Sequence, residues 1–450
     1  MLETLTDLLW GPGTLAALLG TGIFLTVRMR FLPWRRLPLA LHSALGREAR
    51  ADGANGISPF SALMTTLAAT IGTGNIVGVA TALVAGGPGA LVWMELSALL
   101  GMATAFAETF LAVRYRRRNT RNEWAGGPMY VMEAVFGPRT GRTLGTLFAL
   151  FAVGAALGIG GMTQANAITE ALAASFSLPV LPVGLVTAAL ALVAISGGIR
   201  TVSRITSCLV PAMSAFYLAA GAAVLFVHRG QLLPGICEIF QSAFSLRSAA
   251  GGAMGAFTAA RWGIARGVLS NEAGLGSAGI AAAAPDSATP LRQGLISMTG
   301  VFFDTVVLCT VTGLVICCSG VLGSVDAAGT PIDGGALTLM AFETVLGEQG
   351  AAFLAVSIVL FAFSTILGWA YQGETAFAFL TDGRLRGLFR LLYALAVLWG
   401  AGAKLESVYL FSDLCNALMC LPNLLCLLAA GGEAVAAMRA FSPPKGRKKV

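Results

Sequence analysis

Charged residues are scarce in this chain, and the residues that commonly perform chemistry are scarcer still. Only 11% of the 450 residues are Asp, Glu, Lys or Arg, whereas a soluble globular domain carries about 25%. The chain has two histidines, and its eight cysteines follow no spacing typical of a metal or redox motif. The sequence contains no Ser-His-Asp set, phosphate loop or zinc motif. We therefore expect no large soluble domain, no transition-metal site and no enzymatic chemistry, and we expect the cysteines to be packing residues.

Apolar residues dominate instead, at 56% of the chain with a mean hydropathy of +0.79. The acidic start lacks the basic segment of a cleaved signal peptide, so the first apolar run is expected to remain as a helix. These features predict an all-α integral membrane protein with about 11 transmembrane helices. The apolar runs are 8–27, 58–86, 89–113, 143–161, 181–198, 205–227, 253–284, 293–319, 350–378, 387–401 and 405–430.

The net charge of +7 is distributed very unevenly among the loops. With the N-terminus outside, 24 of the 29 Lys and Arg residues fall on the inner side and 3 on the outer side, while Arg261 and Arg266 lie within a span. This asymmetry is the one that the positive-inside rule requires. We predict a multi-pass protein of the cell inner (plasma) membrane with a cytoplasmic C-terminus. The expected partner of the basic segments is membrane lipid, and no nucleic acid is expected.

One apolar span, residues 58–86, is interrupted at its centre by residues that suit neither lipid nor a regular helix. The interruption reads Thr70-Ile71-Gly72-Thr73-Gly74-Asn75. Gly costs roughly 1 kcal/mol relative to Ala inside a helix, and lipid offers an Asn side chain no hydrogen-bond partner. Unwound backbone is tolerated at this depth where it lines a cavity, and in transporters its free polar groups hold substrates and coupling ions. The interruption therefore predicts a transporter.

A second interrupted span opens the second half of the chain, where Ser270, Asn271, Glu272, Gly274 and Gly276 break the run 253–284. Ten spans follow the first one, and two sets of five enter the membrane from opposite sides, which is the topology of an inverted repeat. The predicted segments are an extra helix with a basic cytoplasmic loop (1–57), the first repeat (58–228), an extracellular linker (229–252), the second repeat (253–430) and a basic cytoplasmic tail (431–450).

Polar groups within the spans supply candidate ligands, each with a simpler alternative. The amide oxygen of Asn75 suits a cation such as Na+, or it stabilises the break. Gly72–Gly74 offer N–H groups near a half-helix N-terminus, where a carboxylate can bind, or they permit close helix packing. Ser364 and Thr365 either ligate Na+ together with backbone carbonyls or bond back to their own helix. Trp369 either walls a small pocket or anchors the helix at the lipid interface.

Ionisable side chains inside the spans form another group of candidates, because charge at this depth is costly without a function or a partner. Asp304 lies well inside its span and is a candidate for cation coordination. Glu272 is expected to pair with Arg261 or Arg266, and Glu108 is expected to be a helix-end partner for the nearby arginine at 114. Asp304 is therefore the main acidic candidate for an ion site.

Stretches spread from about residue 58 to 425 resemble the alanine or glycine:cation symporter family, also called sodium:alanine symporters. They occur in order and cover most of the chain. The longest is Ala69-Thr70-Ile71-Gly72-Thr73-Gly74-Asn75-Ile76. The others are Gly86–Ala90, Gly126–Tyr130, Arg261–Gly263, Ser270–Gly274, Arg292–Gly294, Thr365–Trp369, Asn416–Met419 and Leu421–Leu424.

The resemblance implies a leucine-transporter-like fold of the amino acid–polyamine–organocation superfamily, with broken first and sixth core helices and one extra N-terminal helix. It also implies a small neutral amino acid as substrate and Na+ as the coupling ion, with H+ as the alternative. Carried onto this sequence, the implied substrate contacts are Gly72, Thr73, Gly74, Asn75, Asn271 and Trp369. The implied ion contacts are Thr70, Ile71, Asn75, Asp304, Phe361, Ser364 and Thr365.

The sequence and the resemblance together predict a secondary active symporter for alanine or glycine that works by alternating access. One alternative is a proton-coupled carrier or an amino acid exchanger in which Asp304 or Glu272 titrates. Another is a channel or a receptor-like sensor that uses the same site. A channel should show a continuous polar stripe along one helix, whereas here the polar residues cluster near the membrane centre, which favours a carrier.

Overall fold

The structure is a computed structural model that describes residues 9–51, 53, 56–245, 255–403 and 406–441. The start of the chain, the end of the predicted linker and the last nine residues of the predicted basic tail lie outside the described residues. Six helices within the described residues are long and apolar enough to cross a membrane, and shorter apolar helices accompany them. The six are Ala90–Arg114, Thr140–Phe176, Gly198–Val227, Pro290–Cys318, Gln349–Leu380 and Val408–Ala440. The prediction of a helical multi-pass membrane protein is therefore confirmed.

The first half of the chain contains an interrupted helix and the short helices of the basic loop. A π-helical segment, Ala156–Met162, joins α9 to α10, and α13 occupies most of the predicted linker. The elements are α1 Pro12–Arg28, α2 Leu32–Arg35, α3 Leu37–Leu45, α4 Arg47–Arg50, α5 Pro59–Thr70, α6 Val77–Gly86, α7 Ala90–Arg114, β1 Arg117–Arg118, β2 Trp124–Ala125, α8 Pro128–Phe136, α9 Thr140–Ala155, α10 Thr163–Phe176, α11 Val180–Ser196, α12 Gly198–Val227 and α13 Arg229–Phe244.

The second half begins with the other interrupted helix. A π-helical segment, Phe302–Cys309, joins α16 to α17. The elements are α14 Gly255–Asn271, α15 Ala278–Ala282, α16 Pro290–Val301, α17 Thr310–Cys318, α18 Gly334–Leu346, α19 Gln349–Leu380, α20 Arg386–Gly400 and α21 Glu406–Ala440. The strands β1 and β2 pair antiparallel, with Arg117 opposite Ala125. Both interruptions expected from the sequence, between α5 and α6 and between α14 and α15, are present.

Helix α5 begins with a capping arrangement that the sequence encodes locally. The Ser58 hydroxyl accepts a hydrogen bond from the Ser61 N–H at 3.1 Å, and the Ser61 hydroxyl accepts one from the Ser58 N–H at 3.0 Å. Pro59 occupies the first helical position, where its missing N–H leaves no intrahelical bond unmade. These contacts satisfy the first orphan donors of the helix and fix where it starts.

The interrupted helices lie inside the bundle, and other helices shield them from lipid. Every residue of α5 from Ser61 to Thr70 is buried. Helix α7 packs along α14 and α16, and α19 packs along α5 and α10. A Cβ atom on Gly368 would lie 2.5 Å from the Ala69 nitrogen, so this glycine allows α19 to lie directly against α5. Exposed apolar side chains such as Val193 and Phe226 lie on the outer helices.

Candidate functional site

The first break is held open by one asparagine. Backbone after Thr70 is extended at Gly72, and a 3-10 turn, Thr73–Asn75, precedes α6. Asn75 is fully buried, and its Oδ1 accepts the Gly72 N–H at 2.9 Å. The N–H groups of Asn75 and Ile76 bond to carbonyls within the break. Within the described part of the chain, the N–H groups of Thr73 and Gly74 have no acceptor, so the break presents two donors.

Five oxygen atoms converge where α19 meets the end of α5. The Ser364 hydroxyl lies 3.4 Å from the carbonyl oxygens of Ala68 and Ile71 and 2.8 Å from that of Phe361. The Thr365 hydroxyl lies 3.4 Å from the Ile71 oxygen and 3.0 Å from the Phe361 oxygen. Both hydroxyls therefore bond back to their own helix and also face the unwound end of α5. Carbonyl oxygens freed by such a break are the groups that coordinate coupling ions in transporters.

Gly72 fits tightly against this oxygen cluster. A Cβ atom on Gly72 would lie 2.5 Å from Thr365 Oγ1, so any larger residue would displace the hydroxyl. By contrast, a Cβ atom on Gly74 would meet nothing within 4 Å. The two glycines therefore differ in what they permit: Gly72 allows the close approach of α19, whereas Gly74 borders open space.

Asp304 joins the two breaks through a hydrogen-bonded cluster. Its Oδ1 accepts from Asn75 Nδ2 at 2.9 Å, and its Oδ2 accepts from Ser270 and Thr305 hydroxyls, both at 2.8 Å. The residue is fully buried in the π-helical segment between α16 and α17. All three donors are neutral, and Asp304 has no ion pair with Lys or Arg among the described residues. A buried carboxylate without an opposite charge requires a cation or a proton.

A cavity of about 370 Å³ lies beside the two breaks. It extends from the break toward Arg266, Tyr409 and Asp413. Six of the residues expected to bind substrate or ion line it, namely Thr70, Gly72, Thr73, Gly74, Thr365 and Trp369. The other six, Ile71, Asn75, Asn271, Asp304, Phe361 and Ser364, are buried and lie behind the lining. The structure thus brings the predicted residues together in two layers.

Trp369 and Asn271 illustrate how the tertiary structure distinguishes between alternatives. Trp369 is buried and lies against Gly160, where an added Cβ atom would lie 2.3 Å from the Trp369 Cβ. It is therefore a wall of the cavity, and the alternative of an anchor at the lipid interface is wrong. Asn271 accepts the Ala273 N–H at 3.0 Å and donates to the Thr305 hydroxyl at 3.2 Å. These bonds give Asn271 a supporting position in the second break.

The second break uses a carboxylate from a neighbouring helix. Gly274 has a φ of +101°, a conformation that glycine adopts without steric cost. Its N–H donates to Glu108 Oε1 at 3.0 Å, and Asn423 Nδ2 donates to the same oxygen at 2.6 Å. Asn423 Nδ2 also donates to the Gly274 carbonyl at 2.9 Å. Glu108, on α7, therefore fixes the unwound backbone between α14 and α15.

The sequence prediction for Glu108 and for Glu272 was wrong. Arg114 pairs with Glu433 at 2.5 Å, while Glu108, which precedes it on α7, is buried and faces the second break. The Glu272 carboxylate accepts a hydrogen bond from the Ser277 hydroxyl, within its own break, instead of pairing with an arginine. Glu108 is bound by a backbone N–H and an amide side chain, and Glu272 by a hydroxyl, and only the folded break brings these partners close.

Several residues at the site were missed by sequence reasoning. Gln164 Oε1 accepts from the Thr73 hydroxyl at 3.3 Å and lines the cavity. Asn416 also lines it, and Ala68 contributes a carbonyl to the oxygen cluster. The glycine-rich run that precedes Gln164, residues 158–161, was an available signal, because a second set of glycines near polar residues marks another irregular helix. A backbone carbonyl such as that of Ala68 gives no signal in the sequence.

Outside the membrane-spanning segments, Arg116 ties the end of α7 to the loop after α15. Its guanidinium donates to the carbonyl oxygens of Ala283, Pro285 and Ala288 at 2.9, 2.5 and 3.1 Å. Burial lowers the pKa of Arg116 below its ordinary value, because removal from water disfavours the charged form. Arg116 thus fixes the chain segment that follows the second break.

Two interrupted helices, a cavity between them and freed backbone oxygens beside it are the features of a membrane transporter. The solved structure of MhsT in complex with L-phenylalanine superposes with a TM-score of 0.57 at 13% identity, covering 87% of this chain and 97% of that one. The fold is therefore of the kind found in MhsT, in agreement with the leucine-transporter-like fold expected from the sequence.

The sequence comparisons identify the family. The profile of the sodium:alanine symporter family matches residues 1–449. The chain is 44% identical to the sodium/alanine symporter AgcS of Methanococcus maripaludis over 98% of this chain and 97% of that protein. It is 35% identical to the probable sodium/glutamine symporter GlnT of Bacillus subtilis, over 98% and 90%. The chain belongs to the sodium:alanine symporter family, and the prediction of sodium-coupled amino acid transport is confirmed at that level.

We predict that Glu108→Ala destabilises the protein by about 1–3 kcal/mol, because it leaves the Gly274 N–H buried without its acceptor and removes one of the two acceptors of Asn423 Nδ2. Glu108→Gln keeps an acceptor oxygen and should therefore lose less stability than Glu108→Ala. Thermal unfolding of the purified protein in detergent measures both. Glu433→Ala is the control, since it removes a partly exposed ion pair with Arg114, worth about 0–1 kcal/mol, and a partly buried hydrogen bond from the Tyr115 hydroxyl, both away from the second break. Equal losses for Glu108→Ala and Glu433→Ala would contradict the assignment.

Proposed function

We propose that the protein is a secondary active symporter that couples the uptake of a small neutral amino acid, alanine or glycine, to Na+ entry by alternating access. The observation that carries this proposal is the convergence of the Ala68, Ile71 and Phe361 carbonyls with the Ser364 and Thr365 hydroxyls beside the cavity. This donor set consists of oxygen atoms only, which suits a hard cation.

The first Na+ would bind among these five oxygens. None of these oxygens carries a formal charge, so the site would select among cations by their size and by how well the carbonyl and hydroxyl dipoles point at them. The bound ion would bridge α5 and α19, because two of its carbonyl ligands belong to α5 and the hydroxyls belong to α19. An ion that binds both helices stabilises the arrangement in which they lie together, which links occupancy to conformation.

A second ion would bind at Asp304, where the Ser270 and Thr305 hydroxyls supply further oxygen atoms and Asn75 Nδ2 orients the carboxylate by donating to its Oδ1. The fully buried carboxylate and its neutral partners favour a cation at this position. A proton on Asp304 would satisfy the same electrostatic requirement. The oxygen cluster at Ser364 contains no titratable group, however, and so it supports Na+ coupling rather than H+ coupling.

The substrate carboxylate would bind at the first break, where Thr73 and Gly74 present N–H groups near the start of α6. The positive end of a half-helix favours an anion there. Gly72 and Thr365 lie in the same cavity wall, so substrate and the first ion would be close neighbours. Each would then raise the affinity of the protein for the other by the same factor.

Alternating access would require an architecture in which the cavity opens to one side at a time. We infer the eleven-span arrangement predicted above, with α1 preceding an inverted repeat of five plus five spans and the N-terminus outside. The cavity extends toward Arg266 and Asp413. Near the C-terminal end of α19, Glu374 forms an ion pair with Arg390 of α20 through two contacts of 2.8 Å.

Trp369 would set the size of the substrate. It fills the space between α19 and Gly160 and leaves a cavity in which a short side chain fits. The relative named as a probable glutamine symporter indicates that side-chain size varies among such proteins. We therefore propose alanine or glycine as the substrate class on the basis of this tryptophan.

The proposal predicts that purified protein in liposomes accumulates labelled alanine or glycine when an inward Na+ gradient is imposed at fixed pH. Neither amino acid should accumulate in the same liposomes with K+ in place of Na+. Accumulation that follows a pH gradient and ignores Na+ would assign coupling to Asp304 or Glu272 and contradict the ion proposed here. Downhill flux with no accumulation under any gradient would contradict a symporter.

Substitutions in the oxygen cluster should weaken Na+ binding. Ser364→Ala and Thr365→Val each remove one hydroxyl ligand, and we expect the Na+ concentration for half-maximal uptake to rise about tenfold, since a bond to a charged group is worth about 1.5–3 kcal/mol. Matched controls exist on the same helix: Ser357→Ala and Thr375→Val remove buried hydroxyls that bond to their own helix away from the site. Similar effects in the variants and in their controls would contradict the ion site.

Enlarging the cavity at Trp369 should change which amino acids are transported. We expect Trp369→Leu to lower the KM for glutamine and to raise the KM for alanine, because the larger cavity accommodates a longer side chain and holds a short one less well. Competition uptake with both labelled amino acids measures the ratio. Trp399→Leu is the control, since Trp399 is exposed on α20. An unchanged ratio in Trp369→Leu would refute the assigned role.

A further inference from the structure

A second cavity, of about 710 Å³, lies on the outer side of α5, away from the cavity between the breaks. It is formed by α5, α12 and the π-helical segment Phe302–Cys309, with Arg50 from α4 at one end. We call it the α5/α12 groove. Its two ends differ in chemistry: one end carries three arginines, and the remainder is lined mainly by apolar side chains. None of the residues expected to bind substrate borders it, and Ile71 is the one expected ion contact that does.

The arginine end of the groove has unbalanced positive charge. Arg50, Arg200 and Arg204 all line it, and all three are exposed. Arg200 and Arg204 are four residues apart, so they share one face of α12 and repel each other. Within the described residues none of the three forms an ion pair, and Arg50 instead lies 5.0 Å over the Phe60 ring. Such a cluster is complementary to an anion.

Three serines, Ser58, Ser203 and Ser207, line the groove beside the arginines. The Ser203 and Ser207 hydroxyls donate to carbonyl oxygens of their own helix, so the arginine guanidinium groups are the donors that would bind phosphate oxygens. The three arginines come from segments far apart in the sequence, and both segments were assigned to the same side of the membrane by the charge distribution. The anion would therefore lie at one membrane surface.

The apolar part of the groove is long enough for a lipid chain. It follows α12 from Arg204 to Leu218, which corresponds to about 21 Å of helix at 1.5 Å per residue. One leaflet of the hydrocarbon core is about 15 Å thick, half of the usual 30 Å. Leu67, Val210 and Phe303 are among the apolar side chains that line this part. A free phosphate would use only the arginine end and would leave this wall uncovered.

We propose that the α5/α12 groove binds an anionic phospholipid, with its phosphate at Arg50, Arg200 and Arg204 and one acyl chain along α5 and α12. The deep end of the groove includes Leu67 and Ile71 of the α5 end, and the Ile71 carbonyl belongs to the oxygen cluster. A chain packed here would contact the helix end that holds the cluster. Lipid binding itself does not depend on the transport function proposed above.

Native mass spectrometry of the purified full chain, titrated with lipid, tests the proposal. Palmitoyl-oleoyl phosphatidylglycerol should bind as one retained molecule, at least tenfold more tightly than the phosphatidylcholine with the same chains. Glycerophosphoglycerol and inorganic phosphate, which lack acyl chains, should compete poorly. Equal binding of the two lipids would overturn the anion site, and competition by free phosphate at matched concentration would show a soluble-anion site instead of a lipid site.

Two pairs of variants test the binding of the lipid headgroup and the binding of its acyl chain separately. The double variant Arg200→Gln/Arg204→Gln should weaken phosphatidylglycerol binding at least tenfold, whereas Arg139→Gln/Arg384→Gln removes the same charge elsewhere and should not. Ala215→Phe places a ring in the groove and should weaken binding with all arginines intact, whereas Ala212→Phe, exposed on the same helix outside the groove, should not.

Folding of each variant is checked by thermal unfolding, and Arg200→Lys/Arg204→Lys should restore binding because it restores the charge. If both arginine pairs weaken binding equally, the effect is general surface charge and the site is refuted. If Ala215→Phe and Ala212→Phe bind like the unaltered protein, the acyl chain does not lie in the groove.

Discussion

The structure depends on one constraint: backbone that unwinds inside a membrane must find its hydrogen-bond partners within the protein, because lipid offers none. Asn75 meets this requirement at the first break by accepting the Gly72 N–H. Glu108 and Asn423 meet it at the second break by bonding to Gly274. Once these side chains hold the breaks in place, the remaining free carbonyls and N–H groups are fixed in position and available to ligands. The site is therefore a consequence of how the breaks are stabilised.

The two breaks are connected through Asp304. Asn75 bonds to the carboxylate from the first break, and Ser270 bonds to it from the second. A proton or a cation bound to this carboxylate would therefore change hydrogen bonds of both interrupted helices at once. The oxygen cluster at Ser364 and Thr365 adds a connection from the first break to α19. In such an arrangement a bound ion acts on the relative position of three helices, which is the physical basis of the coupling that we propose.

Contacts farther from the site hold in place the helix and the loop that lead away from it. The Glu374–Arg390 pair fixes the far end of α19, while Arg116 fixes the loop after α15. The α5/α12 groove borders the outer face of the helix whose inner face supports the oxygen cluster. Helix α5 is thus the element on which the internal cavity, the oxygen cluster and the groove all converge. Nearly all of its residues are buried because α12, α16 and α19 pack around it.

The sequence by itself determined the membrane-spanning character, the positions of both breaks and the polar residues at each, because hydropathy and the helix cost of glycine and asparagine are local properties. Ser364 and Thr365 were candidates as adjacent hydroxyls within a span, and the resemblance added Ile71 and Phe361; the structure brings the four together. Only the tertiary structure decided that Glu108 supports Gly274 instead of pairing with Arg114, that Gln164 reaches Thr73, and that the Ala68 carbonyl joins the cluster. These partners lie far apart in the sequence or are backbone atoms, so their contacts depend on how the helices pack, which no local pattern encodes.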